Sequence, residues 1–415
     1  MNTKRECKLL TQILNLKGIE VISHREHEGI GIILQVESGI NSSACIRCNR
    51  KSSRLHQHHR HIVKDISWGE KRVFLEINRR QFKCGKCQLP FSEELDFIAW
   101  RRNYTTRLAI CTIEEVLADD IHSIAKKGVV TTAEIERMLE DASKEFLKVK
   151  PVGLKKLGID EIALKKGQGN YCAVLINIET SQLLTILEGR TKEEIKKVLL
   201  DWGTEVLNNI EEVSIDLWAG YKSLVLEVIP NAQIVADRFH VMTQINKELD
   251  DCRKKERRVV TKKIKEARSE EEKSASEEVL AGITSSKYAL LKNEENLGKK
   301  QRKKLRELKS VSPHLKSMHE LKEQFKKILD KKQDWFEGLL ELGKWLSKAK
   351  EYFPNSYGTI LRWLDEIIAY FDNRTTSGVV EGINNKLKLI KRSGYGFRNF
   401  NNFKNRCLLN WHFNG

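Results

Sequence analysis

Asp160 in LKKLGIDEIALKKG, Asp216 in VSIDLWAGYKSL and Glu381 in TSGVVEGINNKLKLIKRSGYGF are carboxylates in three very different settings. The first two are flanked by strand-like apolar runs, and the third opens a basic helix. Carboxylates from two strands and a late helix can converge as hard oxygen ligands, which Mg²⁺ prefers. A pair of such ions clamps both the attacking and the leaving oxygen of a phosphodiester. The chain holds 57 Asp and Glu, so the trio gains weight only from its context. Taken singly, each acid also reads as a surface residue or a helix cap.

The neighbours supply that context. Asp160 lies mid-strand, where it shares a face with Gly158 and Ile162. Asp216 ends the strand Val213-Ser214-Ile215, a position from which a side chain reaches the rim of a sheet. On the helix around Glu381 the apolar stripe is Val379, Ile383, Leu387 and Ile390. The opposite stripe offers Glu381, Asn384 or Asn385, and Lys388, with Lys391 and Arg392 extending its basic end. One helix can therefore present a metal ligand, amides and phosphate-binding cations to a single DNA substrate. Asp237 and His240 in VADRFHVM follow the last strand. They can steady a metal ligand or bond the scissile phosphate, although an N-cap Asp with a packed His fits the same spacing.

Two Cys-x2-Cys pairs, Cys45 with Cys48 and Cys84 with Cys87, predict one structural Zn²⁺ held by four thiolates. Such a closed site has no open position, so its role is folding and DNA docking. The 35 residues between the pairs leave room for two or three strands. His56, His58, His59 and His61 within them are alternative ligands. Cys7, Cys111, Cys172, Cys252 and Cys407 stand alone and read mostly as buried thiols.

The elements that position these groups divide the chain into five stretches. Residues 1–100 form a zinc-ribbon DNA-binding region containing the strand RVFLEINRRQF, with Val73, Leu75 and Ile77 on its buried face. Residues 101–150 turn helical. Ile121, Ile124 and Ala125 precede Gly128, then Thr131 and Thr132 as caps, then Ile135, Met138 and Leu139, the outline of a helix-turn-helix. Residues 151–240 read as three strands, a helix with Ile195, Val198, Leu199 and Trp202 on one side, a strand, a helix and a last strand. That order is α/β and RNase H-like. Residues 241–370 are long-helical and densely charged, a large all-helical insertion interrupted only by Pro313 and Pro354. Residues 371–415 supply the late helix and a basic C-terminal segment that completes the core.

A formal charge of +17 and a pI near 9.3 imply a polyanionic partner, because clustered Lys and Arg bind phosphates by releasing counterions. The runs Arg253-Lys254-Lys255, Lys299-Lys300 and Arg302-Lys303-Lys304 fit DNA contact or a solvated helix face. No apolar stretch approaches the roughly 20 residues that span a bilayer, and the N-terminus does not read as a signal peptide. Together with an odd count of nine cysteines, this predicts reduced thiols in a cytoplasmic, nucleoid-associated protein. No GxxxxGK[ST] loop is present, so no nucleotide partner is expected.

The Cys-x2-Cys pairs, the helix-turn-helix outline, LGIDEIALKKG, SIDLWAGYK, NAQIVADRFHV and SGVVEGINNKLKLIKRSGYGFRNFNNFKNR together resemble bacterial insertion-sequence transposases of the ISL-three family. The resemblance covers nearly the whole chain. It implies a DDE transposase with Asp160, Asp216 and Glu381 as catalytic ligands of two Mg²⁺ (or Mn²⁺), and with Asp237 and His240 in an aspartate-x2-histidine signature. It implies binding to the double-stranded inverted repeats of the element and to target DNA, hydrolysis followed by transesterification, and a homo-oligomer that joins two ends. The alternatives are a zinc-ribbon DNA-binding regulator with an inactive nuclease-like core, and a nuclease that cuts without joining.

Overall fold

The computed structural model describes residues 4–147, 150–163, 171–374, 378–394 and 399–413. The chain forms two compact units, Met1–Lys148 with Ile390–Gly415, and Val149–Leu389.

In the first unit, α1 (Lys4–Leu14) leads into β1 (Ile19–His27) and β2 (Gly31–Ser38). The short strands β3 (Ser43–Ala44) and β4 (Lys51–Ser52) follow, then the long β5 (Leu55–Trp68) and β6 (Lys71–Lys83), and β7 (Pro90–Ser92). The larger sheet runs β1-β2-β6-β5, with β7 also on β6. Val73, Leu75 and Ile77 face its core with Val21, Leu34, Val36 and Val63, as the alternation predicts. The Cys-x2-Cys region is thus part of a sheet domain larger than a minimal ribbon.

Three helices follow: α2 (Thr106–Ala118), α3 (Ile121–Lys126) and α4 (Thr132–Leu147). Asp120 caps α3 through the amides of His122 and Ser123. Gly128, at φ +77°, makes the turn that a Cβ would resist. Thr131 and Glu134 then close a reciprocal capping box on α4. Ile124, Ile135, Met138 and Leu139 meet in one small core.

The second unit is built on β8 (Lys156–Ala163), β9 (Tyr171–Asn177), β10 (Gln182–Ile186), β11 (Glu212–Ile215) and β12 (Gln233–Ala236). The sheet order is β10-β9-β8-β11-β12. The first three strands form an antiparallel meander, and β11 runs parallel to both β8 and β12. Parallel pairing requires crossovers. They are α5 (Lys192–Trp202) with α6 (Thr204–Asn208) before β11, and α7 (Ala219–Val228) between β11 and β12. This is the strand and helix order expected of an RNase H-like core. Ile195 and Leu199 are fully buried, with Val198 and Trp202 packed beside them.

The helical insertion begins with α8 (Arg238–Glu266), three residues earlier than the expected boundary. It continues through α9 (Glu270–Ile283), α10 (Lys287–Leu291), α11 (Lys299–Val311), α12 (Pro313–Asp330) and α13 (Trp335–Tyr352) to α14 (Pro354–Arg362), α15 (Leu364–Ile368) and α16 (Tyr370–Asn373). Pro313 and Pro354 do not break helices; each starts one, since proline has no N–H to lose in the first turn. α17 (Gly378–Ser393) carries Glu381. Its buried stripe is Val380, Ile383, Leu387 and Ile390, with Val379 only half-buried at the edge.

The C-terminal segment differs from expectation. α18 (Phe400–Phe413) packs on α2 and α4 in the first unit and does not complete the catalytic sheet. Leu409 joins the small core there, and Arg406, fully buried, donates to the Asp119 carbonyl. The Leu164–Gly167 end of the LGIDEIALKKG motif and Tyr395–Phe397 of the trailing GYGF lie outside the described residues.

Candidate active site

Asp160 is placed mid-strand on β8 and is almost wholly buried. Its carboxylate accepts from the Glu161 amide at 2.6 Å and from Nδ2 of Asn384 on α17. The docking of α17 has a local cause. Gly158, on the same face of β8 as Asp160, leaves open the space where a Cβ would meet Val380 at 3.4 Å and Ile178 at 3.3 Å. The absent side chain lets the helix approach the strand closely.

Asp216 follows the last residue of β11, which pairs in register with β8 at Ile215 and Ile159. Its carboxylate accepts from the Trp218 amide at 3.1 Å. Burial first, then the charge of Glu161, push its pKa up to about 6, with Asp160 adding to the rise and His240 opposing it. Asp237 follows β12 and caps α8 by accepting from the Phe239 amide at 2.8 Å. One turn on, His240 Nε2 stands 3.7 Å from Asp160 and 3.8 Å from Asp237. These distances exceed hydrogen-bond length. The pull of the Asp160 carboxylate outweighs burial and, with Asp237, lifts the imidazole pKa to about 8.

A cleft of about 160 Å³ gathers Asp160, Asp237, His240, Glu381, Asn384 and Lys388, together with Glu161 and Phe239. Glu381 also borders a second cleft of about 280 Å³ formed with α8 and α12. Asp216 is not among the lining residues, and the oxygens of Asp160, Asp216 and Glu381 do not all lie within 4.8 Å of one another. Their donor type still fits a hard divalent ion: the buried Asp216 carboxylate, whose pKa Glu161 and Asp160 raise, gains from a cation beside it.

The two candidate amides separate cleanly. Asn384 is buried against Asp160, whereas Asn385 is exposed and outside the cleft. Lys391 and Arg392 lie in the last turn of α17, past the Leu389 limit of the second unit. Glu161 escaped the sequence reading. Tyr221 donates to it at 3.0 Å, and Arg190 pairs with it at 2.5 Å while lying over the Tyr171 ring. The adjacent acids Asp160-Glu161 were the available signal, but alternation along a strand sends them to opposite faces. On α8, Lys254, Arg257, Arg258, Lys262 and Lys265 line a separate cationic groove.

In the first unit the sulfurs of Cys45, Cys48, Cys84 and Cys87 all lie within 4.8 Å of one another. The two knuckles repeat one local structure. Asn49 and Gln88, each just after the second cysteine, adopt left-handed φ of 58° and 57°. Their amides return to the Cys45 and Cys84 carbonyls at 2.8 and 3.0 Å. The Cys87 amide, the largest influence, draws Cys84 down to about 6, while Cys48 and burial push Cys87 up to about 12. Such crowding of four thiols is relieved by a cation, and the cluster suggests a structural zinc. Cys172 and Cys407 are buried as expected of lone thiols, Cys7 and Cys252 are half-buried, and Cys111 is exposed.

Among the described residues no helix is long and apolar enough to cross a membrane. Residues 157–407 match the family model of the ISL3 class of DDE proteins, described as a transposase. Residues 42–87 match the zinc-finger of transposase IS204/IS1001/IS1096/IS1165. The chain is 25% identical over 399 residues to the transposase for insertion sequence element IS1001 of Bordetella parapertussis, covering 92% of both chains. It is 26% identical over 385 residues to the transposase for insertion sequence element IS1557 of Mycobacterium tuberculosis, covering 85% of this chain and 82% of the relative. The strand order, the cleft and the zinc knuckles therefore sit in a chain that belongs to the ISL3 family of DDE transposases, DNA-cleaving enzymes of insertion sequences.

Proposed function

We propose that this transposase binds the terminal inverted repeats of its own element, cuts there, and joins the freed end to target DNA. Asp160, Asp216 and Glu381 would hold two Mg²⁺ (or Mn²⁺). The convergence of Asp160, Asp237, His240, Glu381, Asn384 and Lys388 on one cleft is the observation that carries this reading. Bound divalent ions supply Lewis acidity at the attacking and leaving oxygens.

The chain's own groups orient the reactants. Asn384 holds the Asp160 carboxylate in place. His240, whose pKa Asp160 and Asp237 raise, sets its imidazole beside both carboxylates, and Lys388 binds phosphate. In the first step a water oxygen bonds to phosphorus as the P–O3′ bond breaks, leaving a 3′-hydroxyl. That hydroxyl then attacks a target phosphodiester and displaces its 3′-oxygen. One phosphodiester is made for each one broken in the second step, so no nucleotide is consumed.

DNA docking falls to other parts. Four thiolates around one Zn²⁺ stiffen the first unit for DNA docking. Helices α3 and α4, joined through Gly128, are read as a helix-turn-helix that places α4 in the major groove. Asn385, Lys391, Arg392 and the cationic groove on α8 serve the phosphate backbone. Bringing two ends together requires a homo-oligomer, at work on DNA in the cytoplasm.

Excision from a plasmid carrying the gene with its native flanks tests this. With Mg²⁺, wild type excises the element, and Asp216→Asn lowers the rate on the order of 10³-fold or more while still binding an end fragment. Equal excision by both proteins removes Asp216 from the chemistry. End binding without cleavage by wild type on intact ends turns the reading to a regulator, and cleavage without joined product turns it to a nuclease.

A further inference from the structure

Away from the cleft, α8 and α12 bring together three side chains that the DNA chemistry leaves unused. The sulfur of Cys252, a carboxylate oxygen of Glu256 and a ring nitrogen of His314 all lie within 4.8 Å of one another. We propose that Cys252, Glu256 and His314 form a second zinc site, with its fourth position open to water or an external ligand.

The arrangement has a simple origin. Cys252 and Glu256 are four residues apart on α8, so they project from one face of the helix. His314 comes from the first turn of α12, directly after Pro313. The Glu256 carboxylate is already oriented: the Ser312 hydroxyl donates to its Oε2 at 2.7 Å while accepting the Leu315 amide at 3.1 Å. The His314 ring is oriented too, stacked on Tyr352 at 5.3 Å and 30°. Ligands steadied by outer partners of this kind are what metal sites use.

Ligand chemistry selects the ion. One thiolate, one imidazole and one carboxylate suit zinc, whereas Mg²⁺ and Ca²⁺ take oxygen donors. Three protein ligands leave a tetrahedral zinc one vacancy. Cys252 and Glu256 are half-buried and His314 is exposed, so an ion can enter from solvent without the helices separating. Once bound, it ties α8 to α12 across the insertion, and it stabilises the folded chain by mass action.

The full-length chain, dialysed against zinc and freed of excess by gel filtration, is assayed for metal by elemental analysis. The expected content is about two zinc ions per wild-type chain, one of them in the four-cysteine knuckles, and about one in both His314→Gln and Cys252→Ser. His314 is exposed, so His314→Gln leaves the helical fold intact, which far-UV circular dichroism verifies. A mild chelator should lower the thermal midpoint of the helical signal in wild type beyond its effect on His314→Gln. A wild-type content of one or less, or two ions retained in either variant, overturns the site. The readout is independent of DNA cleavage, so it stands or falls apart from the excision test.

Discussion

At the scale of single residues, the contact between Asn384 and Asp160 separates a positioning group from an exposed amide. The Asp160 carboxylate is buried between its own strand's amide and the Asn384 side chain. Losing the amide frees a rotamer and leaves a buried acceptor short of a partner. Asn384→Ala should slow single-turnover end cleavage by about ten- to a hundredfold, with end binding unchanged. Asn385→Ala, on the exposed side of the same helix and facing the phosphate backbone, should weaken end binding but leave the cleavage rate of bound DNA within about twofold of wild type. Equal effects of the two substitutions would remove Asn384 from the positioning of Asp160.

At the scale of elements, Gly158 governs how α17 meets β8. A methyl group there is already tight, and valine adds two more carbons toward Val380 and Ile178. Overpacking of this kind costs about 1–3 kcal/mol. Gly158→Val should therefore lower the urea midpoint of the catalytic unit and depress cleavage more than Asn384→Ala does, because the whole helix carrying Glu381, Asn384 and Lys388 is displaced. Gly158→Ala should do the same to a smaller degree. If Gly158→Val cleaves normally, close docking of α17 is not what positions the site.

At the scale of the whole molecule, the helical insertion carries an acid-sensitive lock. His319 on α12 is fully buried, both its ring nitrogens lack hydrogen-bond partners, and it sits among Lys309, Lys322, Glu294 and Glu323. Burial, then Lys322 and Lys309, lower its pKa to about 3. Between its ordinary value near 6.5 and about 3, the unfolded chain takes up a proton that the folded chain refuses. The contribution is therefore complete above pH 6.5 and is lost as pH falls, the loss amounting to on the order of 2 kcal/mol by pH 5. Urea midpoints of the helical signal should drop between pH 7 and 5, and His319→Leu should flatten that slope. An unchanged slope would place the acid sensitivity elsewhere.

Much of this protein was legible in its sequence because the signals are local. Alternating apolar residues specified β6, short apolar runs between polar turns specified the β8–β10 meander, spacing specified both zinc knuckles, and the strand pattern put Asp160 within one strand and Asp216 at the end of another. The acids, Asp237 and His240 were named from motifs a few residues long. Helical periodicity, by contrast, allowed Asn384 and Asn385 equally and set Val379 in the stripe that Val380 fills, because the face a helix buries depends on what it docks against. The same limit hid Glu161, held by Arg190 and Tyr221 from distant elements, and the approach of His314 to Cys252 and Glu256. It also sent α18 to the first unit, where buried Arg406 and Leu409 find partners on α2–α4. Periodicity and motif spacing are properties of short stretches of chain. Which faces meet is a property of packing between stretches far apart, and only the tertiary structure decides it.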